Sequence, residues 1–287
     1  MTIEPSEVAA ALARVGLLVT QDPRHVARGW ESNIYRCETA DGVLAVRVHA
    51  GTERATAERE AAMMSTLAEL DYPVPGVHGL TTVRGHPALI MAFVDGTNLW
   101  AGLHGVMESA QMCRELMNRL HRLAAPSADD SLAWLRAATD RVVHAMPRFV
   151  PFVDALWDDP PADLRVSYCH LDFHPGNVLW DGQPWVVDWT SGRITDPRLD
   201  LAWSRLLAAM HYPHAATVFS AADEDPWFDT AMALRRITTV ANMLGGSAHA
   251  VGDSLADELG DIAVAGEWLE AGTGVEVRDV WALLTGE

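Results

Sequence analysis

Cysteine is scarce in this chain of 287 residues: three, at Cys37, Cys113 and Cys169, odd in number and far apart. No two have zinc-ligand spacing, and the set fits reduced thiols in a cytoplasm better than a disulfide framework. Positive charge is also thin, with 21 Lys plus Arg against 39 Asp plus Glu and a net charge of −18. Such a field repels phosphate backbones and anionic lipid surfaces, so nucleic-acid and membrane partners are disfavoured and a cationic partner is easier to recruit. No apolar run approaches the ~18 residues of a membrane span. The opening Met1-Thr2-Ile3-Glu4-Pro5-Ser6-Glu7 has early acids and no basic stretch, so neither a leader nor an anchor is expected, and the expected location is cytoplasmic. Internal repeats and low-complexity tracts are missing too. Apolar residues at 49% and charged residues at 21% are ordinary globular usage, enough for one large domain or two modest ones.

The patterning is mixed. Pro5-Ser6-Glu7 ahead of Val8, Leu12 and Val15 reads as a short capped helix. Ile34 to Cys37 and Leu44 to Val48 are short runs rich in apolar and β-branched residues joined through Asp41-Gly42, a hairpin signal. Ala57, Ala61, Met64 and Ala68 fall on one face of a helix. Ala88 to Val94 is an apolar run of strand length ended by Asp95-Gly96, after which helical periods dominate, and the domain boundary is expected near Val94. Met112, Leu116, Leu120 and Leu123 mark one later helix, Leu132 to Met146 another, and helices return from Leu199. Val178 to Trp180 and Trp185 to Val187 flank Asp181-Gly182, a second hairpin signal.

The stretch that carries chemistry is His170-Leu171-Asp172-Phe173-His174-Pro175-Gly176-Asn177, followed by Val186-Val187-Asp188-Trp189. It supplies three oxygen-bearing side chains, with Asp188 set behind the second hairpin. Phosphoryl transfer needs such a set: a carboxylate to orient the attacking hydroxyl, and hard oxygen ligands for Mg²⁺. The His-x-Asp-x-x-x-x-Asn spacing matches the kinase catalytic-loop signature.

On these residues the chain resembles the aminoglycoside phosphotransferase and choline kinase superfamily, whose catalytic loop is usually His-Gly-Asp-x-His-x-x-Asn and whose metal-binding Asp commonly precedes an aromatic residue. His170, Asp172, His174, Asn177 and Asp188-Trp189 match; Leu171 stands in the usual Gly place. The likeness spans most of residues 25 to 205. It implies an α+β, two-lobed, protein-kinase-like fold: residues 1–94 as a nucleotide-binding lobe with a small antiparallel sheet and one key helix, and residues 95–287 as a mainly helical lobe with the catalytic loop and acceptor site. Gly29 to Arg36 looks like the family's nucleotide-covering loop, with Ser32 over the phosphates. Arg47 takes the place of the phosphate-binding Lys, and Glu60 that of its helix partner. The Met91 to Gly96 run looks like the interlobe hinge, where the backbones of Ala92 and Val94 would hydrogen-bond adenine. Asp196 to Ala202 resembles the segment that braces the catalytic loop.

The resemblance thus implies a phosphotransferase with Asp172 as catalytic base, Asn177 and Asp188 holding Mg²⁺, and ATP or GTP as co-substrate. The acceptor would be a hydroxyl of a small molecule, expected to be a cationic antibiotic on the strength of the negative charge and of acids such as Asp223, Glu224, Asp225, Asp229, Asp257 and Glu258. Other acceptors in the superfamily are macrolides, choline, homoserine and sugars. Two readings from other classes stand beside it: a nucleotide-binding pseudokinase, disfavoured by the retained Asp172, Asn177 and Asp188, and a metallohydrolase using His170, Asp172 and His174, which lacks further ligands. Plainer roles compete at single residues: bracing for His170 and His174, turn and cap chemistry for Asp196 and Asp200, and loop flexibility at Gly29.

Overall fold

The computed structural model describes residues 3–28, 32–101, 105–127, 130–221, 225–246, 254–277 and 283–284; the side chains of 27–28 and 243–261 lie outside that description. The chain forms two compact units, Met1–Leu103 with Pro175–Gly192, and His104–His174 with Arg193–Glu287. The first division falls at Leu103/His104, where the sequence placed it near Val94, and eighteen residues from the later chain return to the first unit.

In the first unit α1 (Pro5–Ala13) precedes β1 (Arg24–Arg28), β2 (Ser32–Thr39) and β3 (Gly42–His49); α2 (Arg54–Glu69), β4 (Val77–Val83) and β5 (His86–Ala92) follow. The five strands form an antiparallel sheet in the order β1-β2-β3-β5-β4. Gly42 sits at φ +132°, the conformation that lets the Asp41-Gly42 turn close the β2–β3 hairpin and set Ile34 opposite Arg47. Val8 and Leu12 of α1 pack with Tyr35, Val46 and Ile90 in this unit's core. Helix α2 buries Ala57, Glu60, Ala61, Met64 and Leu67; the expected Ala68 is exposed, with Leu67 taking its place on the buried face.

Further along, β6 is Thr97–Asn98, β7 (Ser167–Cys169) belongs to the second unit, and β8 (Val178–Trp180) with β9 (Pro184–Val186) returns to the first. The β8–β9 hairpin turns through Gly182 at φ +109° and pairs Val178 with Val186. A Cβ at Gly96 would stand 2.9 Å from the Trp180 carbonyl oxygen, so glycine lets the chain ahead of β6 approach β8.

The second unit contains α3 (Val106–His121), α4 (Ala133–Ala145), α5 (Val150–Asp158), β7, β10 (Arg193–Thr195), α6 (Pro197–His211), α7 (Pro226–Gly246) and α8 (Ser254–Thr273). Strands β7 and β10 pair antiparallel, and the core gathers Phe149, Leu199, Trp203, Phe228, Ile237 and Leu269. Helix α6 starts on a strong signal: Asp196 at the N-cap accepts the Arg198 N–H and Pro197 opens the first turn. All three cysteines are buried and unpaired. Among the described residues no helix is long and apolar enough to cross a membrane.

Candidate active site

Arg47 projects from the middle of β3 and is 4% exposed. Its guanidinium spans two carboxylates: Nη1 donates to Glu60 Oε1 at 3.1 Å and Nη2 to Asp188 Oδ1 at 2.6 Å. An ammonium offers a point charge, whereas the planar fork reaches both acids at once. Glu60, 1% exposed on α2, also receives the Trp189 backbone N–H and the Thr190 hydroxyl. Burial pushes its carboxyl up, the Asp188 charge adds to that, and Arg47 pulls the other way. His49 Nε2 lies 3.3 Å from Glu60 Oε2, and burial together with the Arg47 charge lowers this imidazole to about 4, with Asp188 opposing.

Asp188 follows β9 with a left-handed backbone, φ +65°, and its side chain is 38% exposed. Thr190 Oγ1 donates to Asp188 Oδ1 at 3.0 Å. The hairpin geometry explains why Asn177 is near: it precedes β8 as Val187 follows β9, and the Val187 N–H donates to the Asn177 carbonyl at 2.9 Å. Asn177 and Asp188 therefore flank the open end of one short hairpin within the first unit. Ser32 is buried at the start of β2, opposite His49 of β3, and Gly29, Trp30 and Glu31 lie outside the described residues. At the end of β5 the Ala92 N–H is already given to the Gly76 carbonyl at 2.8 Å, so any ligand contact there falls to the Ala92 carbonyl. The half-buried Val94 has no backbone hydrogen bond among the described residues.

Asp172 lies in the second unit on the loop after β7. Its neighbour Leu171 is 1% exposed and sits at φ +59°, the region where the family's usual glycine is unstrained. Three contacts hold that backbone. Fully buried Asp200 accepts the His170 N–H at 2.9 Å and the Leu171 N–H at 2.5 Å, and Arg235 Nη1 donates to the Leu171 carbonyl at 2.6 Å. His121 Nε2 stands 3.0 Å from Asp200 Oδ2. Asp196 is equally buried and takes the Arg165 N–H and the Arg198 guanidinium. The carboxylate of Asp172 accepts Trp203 Nε1–H at 2.9 Å, and His174 Nε2 lies 3.9 Å from its other oxygen.

His49, Thr190, Trp203 and Arg235 escape the sequence reading. Only Thr190 and His49 carried a signal, each lying two positions from a residue already singled out. The metal-compatible grouping among the described residues is His121, Cys169 and Asp200, not His170, Asp172 and His174. Burial raises the Cys169 thiol well above its ordinary range and it donates to the Ser167 and Thr195 carbonyls, so it is a packed thiol and not a ligand. Of the acids considered for a cationic acceptor, Asp225 accepts the Trp227 N–H at the start of α7 and Asp229 is paired with Arg205. Asp223 and Glu224, and the side chains of Asp257 and Glu258, lie outside the described residues.

The family model described as "Phosphotransferase enzyme family" matches residues 22–260. No curated protein matches the chain by sequence. Among solved structures, a Ralstonia eutropha JMP134 protein named as a candidate aminoglycoside phosphotransferase is 14% identical with TM-score 0.68, covering 96% of this chain and 100% of that one. Spectinomycin phosphotransferase APH(9)-Ia, in complex with ADP and spectinomycin, is 13% identical with TM-score 0.60, covering 99% and 98%. A thermostable mutant of aminoglycoside phosphotransferase APH(4)-Ia, in ternary complex with AMP-PNP and hygromycin B, is 14% identical with TM-score 0.63, covering 94% and 99%. At such identities the likeness establishes the fold, which is the kinase-like α+β fold of these phosphotransferases.

Two predictions follow from the local geometry. Glycine is ordinarily less stable than alanine in regular structure by about 0.5–1 kcal/mol. At position 171 both variants lose roughly 2–5 kcal/mol of packing, but the left-handed backbone opposes alanine by roughly 1–2 kcal/mol. Leu171→Gly is therefore expected to be at least as stable as Leu171→Ala; urea midpoints showing alanine ahead by the ordinary margin would contradict the assigned backbone. The second concerns His49. The unfolded chain protonates this imidazole below about 6.5, whereas the folded chain resists until about 4, so its contribution to stability is present at neutral pH and is lost as pH falls between those values. Wild type should lose about 1–2 kcal/mol more than His49→Gln between pH 7 and pH 5, measured by urea unfolding; equal losses would place the imidazole in water.

Proposed function

The chain belongs to the phosphotransferase enzyme family and is a small-molecule kinase, and from that premise we propose that it transfers the γ-phosphoryl group of ATP or GTP to a hydroxyl of a small molecule. The observation that carries this reading is the buried Arg47–Glu60 pair joined to Asp188, because it ties a cation on the sheet to the acid beside Asn177. In this reading the Arg47 fork faces phosphate once nucleotide is bound, and Glu60 keeps the fork in place. The Ala92 carbonyl and the Val94 N–H meet the adenine edge, and Ser32 covers the phosphates. Asn177 and Asp188 offer hard oxygens of the kind Mg²⁺ takes, and the partial exposure of Asp188 leaves its carboxylate within reach of solvent. Bound Mg²⁺ would supply charge neutralisation on the transferring phosphoryl group. Asp172, whose Oδ1 accepts the Trp203 indole N–H, accepts or orients the proton of the attacking hydroxyl. The buried, unpaired thiols accord with a reducing, cytoplasmic setting.

For the acceptor we infer a cationic, hydroxyl-bearing compound of the aminoglycoside type. Support comes from the −18 net charge and from the hygromycin B and spectinomycin held by the two enzymes of like fold. Asp225 and Asp229 no longer add to that support, since a cap and an ion pair occupy them.

The test uses ADP release from MgATP and from MgGTP over a panel of aminoglycosides, macrolides, choline and sugars. Asp172→Asn should lower turnover by roughly 10²–10⁴-fold with nucleotide binding retained, while Asp188→Asn should also abolish Mg²⁺-dependent nucleotide binding. Small, equal effects of both substitutions would defeat the assignment. A cationic acceptor should show a KM that rises with added salt more steeply than that of the nucleotide. A neutral acceptor turned over with salt-independent KM, and no turnover of any polyamine, would assign the acidity to solvation alone.

A further inference from the structure

A residue other than glycine stays in the left-handed region only where its surroundings over-determine it. Among the described residues Asp71, Arg84, Leu171 and Asp188 do so, and of these Leu171 is the buried, apolar one. Its side chain has no polar atom to support such a backbone, so the support comes from elsewhere. The Leu171 N–H, which lies in the peptide plane before its Cα, is given to Asp200; the Leu171 carbonyl, in the plane after it, accepts Arg235 Nη1 at 2.6 Å. Asp200 alone would leave the second plane free to turn about the Cα–C bond. That plane also carries the nitrogen and Cα of Asp172. Arg235 reaches it from α7, half-buried, with its guanidinium 4.4 Å from the Trp203 ring centroid. One residue past Asp172 the chain is held again, where Ser204 donates to the Phe173 carbonyl at 2.7 Å.

We propose that Arg235 is a positioning residue for the catalytic loop: its guanidinium holds the Leu171–Asp172 peptide plane in the left-handed arrangement and so fixes the direction in which Asp172 leaves the loop. This rests on the assignment of Asp172 as the base. A hydrogen bond from a cation is about twice as strong as a neutral one, which sets it against the steric cost of a leucine in this conformation. Glycine at 171 would carry no such cost, so the need for Arg235 arises from the leucine. The effect is one of orientation, and it falls on the attacking group and not on the nucleotide.

Two measurements separate the bond from the reading it rests on. With ¹³C at leucine carbonyls and ¹⁵N at aspartate nitrogens, correlations arise only from Leu-Asp peptides, of which the chain has Leu70-Asp71, Leu171-Asp172 and Leu199-Asp200. The Leu171 carbonyl, assigned by its absence from Asp172→Asn, should move upfield in Arg235→Met, where a side chain of similar length packs on Trp203 without a donor. Arg235→Gln, in which any donor is neutral, should shift it in the same sense and serves if the methionine variant does not fold. An unmoved carbonyl resonance overturns the proposal whether or not the chain is active. For catalysis the probe is MgATP with water as acceptor, read as ADP release. Arg235→Met should lower kcat roughly 10–100-fold with the KM for ATP within about two-fold of wild type. Made in Leu171→Gly, the same substitution should cost no more than about three-fold, because the backbone it supports is no longer strained. An equal loss in both backgrounds would show that Arg235 acts through packing on Trp203, and the positioning role would be refuted. Turnover of Arg235→Met like wild type, with Asp172→Asn inactive, refutes it too and leaves the base assignment standing. If wild type and Asp172→Asn release ADP equally, the base assignment fails and the positioning role fails with it, leaving the carbonyl resonance to report only the bond.

Discussion

Asp200 is the constraint on which the second unit's loop depends. A carboxylate with no exposure must be paired on both oxygens or it pushes the fold toward a state in which it is neutral. Here it accepts two consecutive backbone N–H groups and has His121 alongside. Two successive amides aimed at one acid require the chain to curl, and the curl is what places Leu171 in the left-handed region. The side chain of Leu171 then turns into the core with Leu199 and Trp203, so the strained residue is also a packed one. Asp172 leaves this arrangement pointing where α6 can reach it.

The first unit answers to a different ion pair with the same logic. Arg47 and Glu60 are buried so deeply that their attraction contributes little net stability after desolvation, yet removing either leaves a buried charge worth about 3–5 kcal/mol. Such a pair is a poor source of stability and a good source of position. It joins β3, α2 and the turn after β9, and Thr190 links the two acids it bridges. His49, neutral beside Glu60, adds no competing charge.

Much of this was legible from residue order. Asp41-Gly42 and Asp181-Gly182 located both hairpins because positive-φ turns leave a local chemical trace. The second of them explains why Asn177 and Asp188, eleven residues apart, flank one hairpin end. Glu60 could be placed inward because it shares a helix face with Met64 and Leu67. Other features left no such trace. The return of residues 175–192 to the first unit is a long-range choice with no local period. Strand β4 and the short pair β7 and β10 have too few residues of clear alternation to announce themselves, and α5 is only nine residues long, too short for the burial of Phe152, Val153 and Leu156 to stand out as a helical period. Trp203 read as one core aromatic among eleven tryptophans, since only the fold shows which indole nitrogen meets a carboxylate.

The fork of Arg47 has a chemical corollary. All 21 residues in the Lys-plus-Arg count are arginines, and the chain contains no lysine. The departure at position 47 is therefore one instance of a whole-chain composition. An arginine stays protonated at any pH the fold survives, and it has no nucleophilic amine. Acyl-phosphate and sulfonyl-fluoride nucleotide analogues that label kinases through an ε-amino group find no target here, and lysine acetylation or ubiquitin attachment has no side chain on which to act. Chemical capture of the nucleotide site must go through guanidinium-directed dicarbonyls or photochemistry, and lysine-specific proteases leave the polypeptide whole.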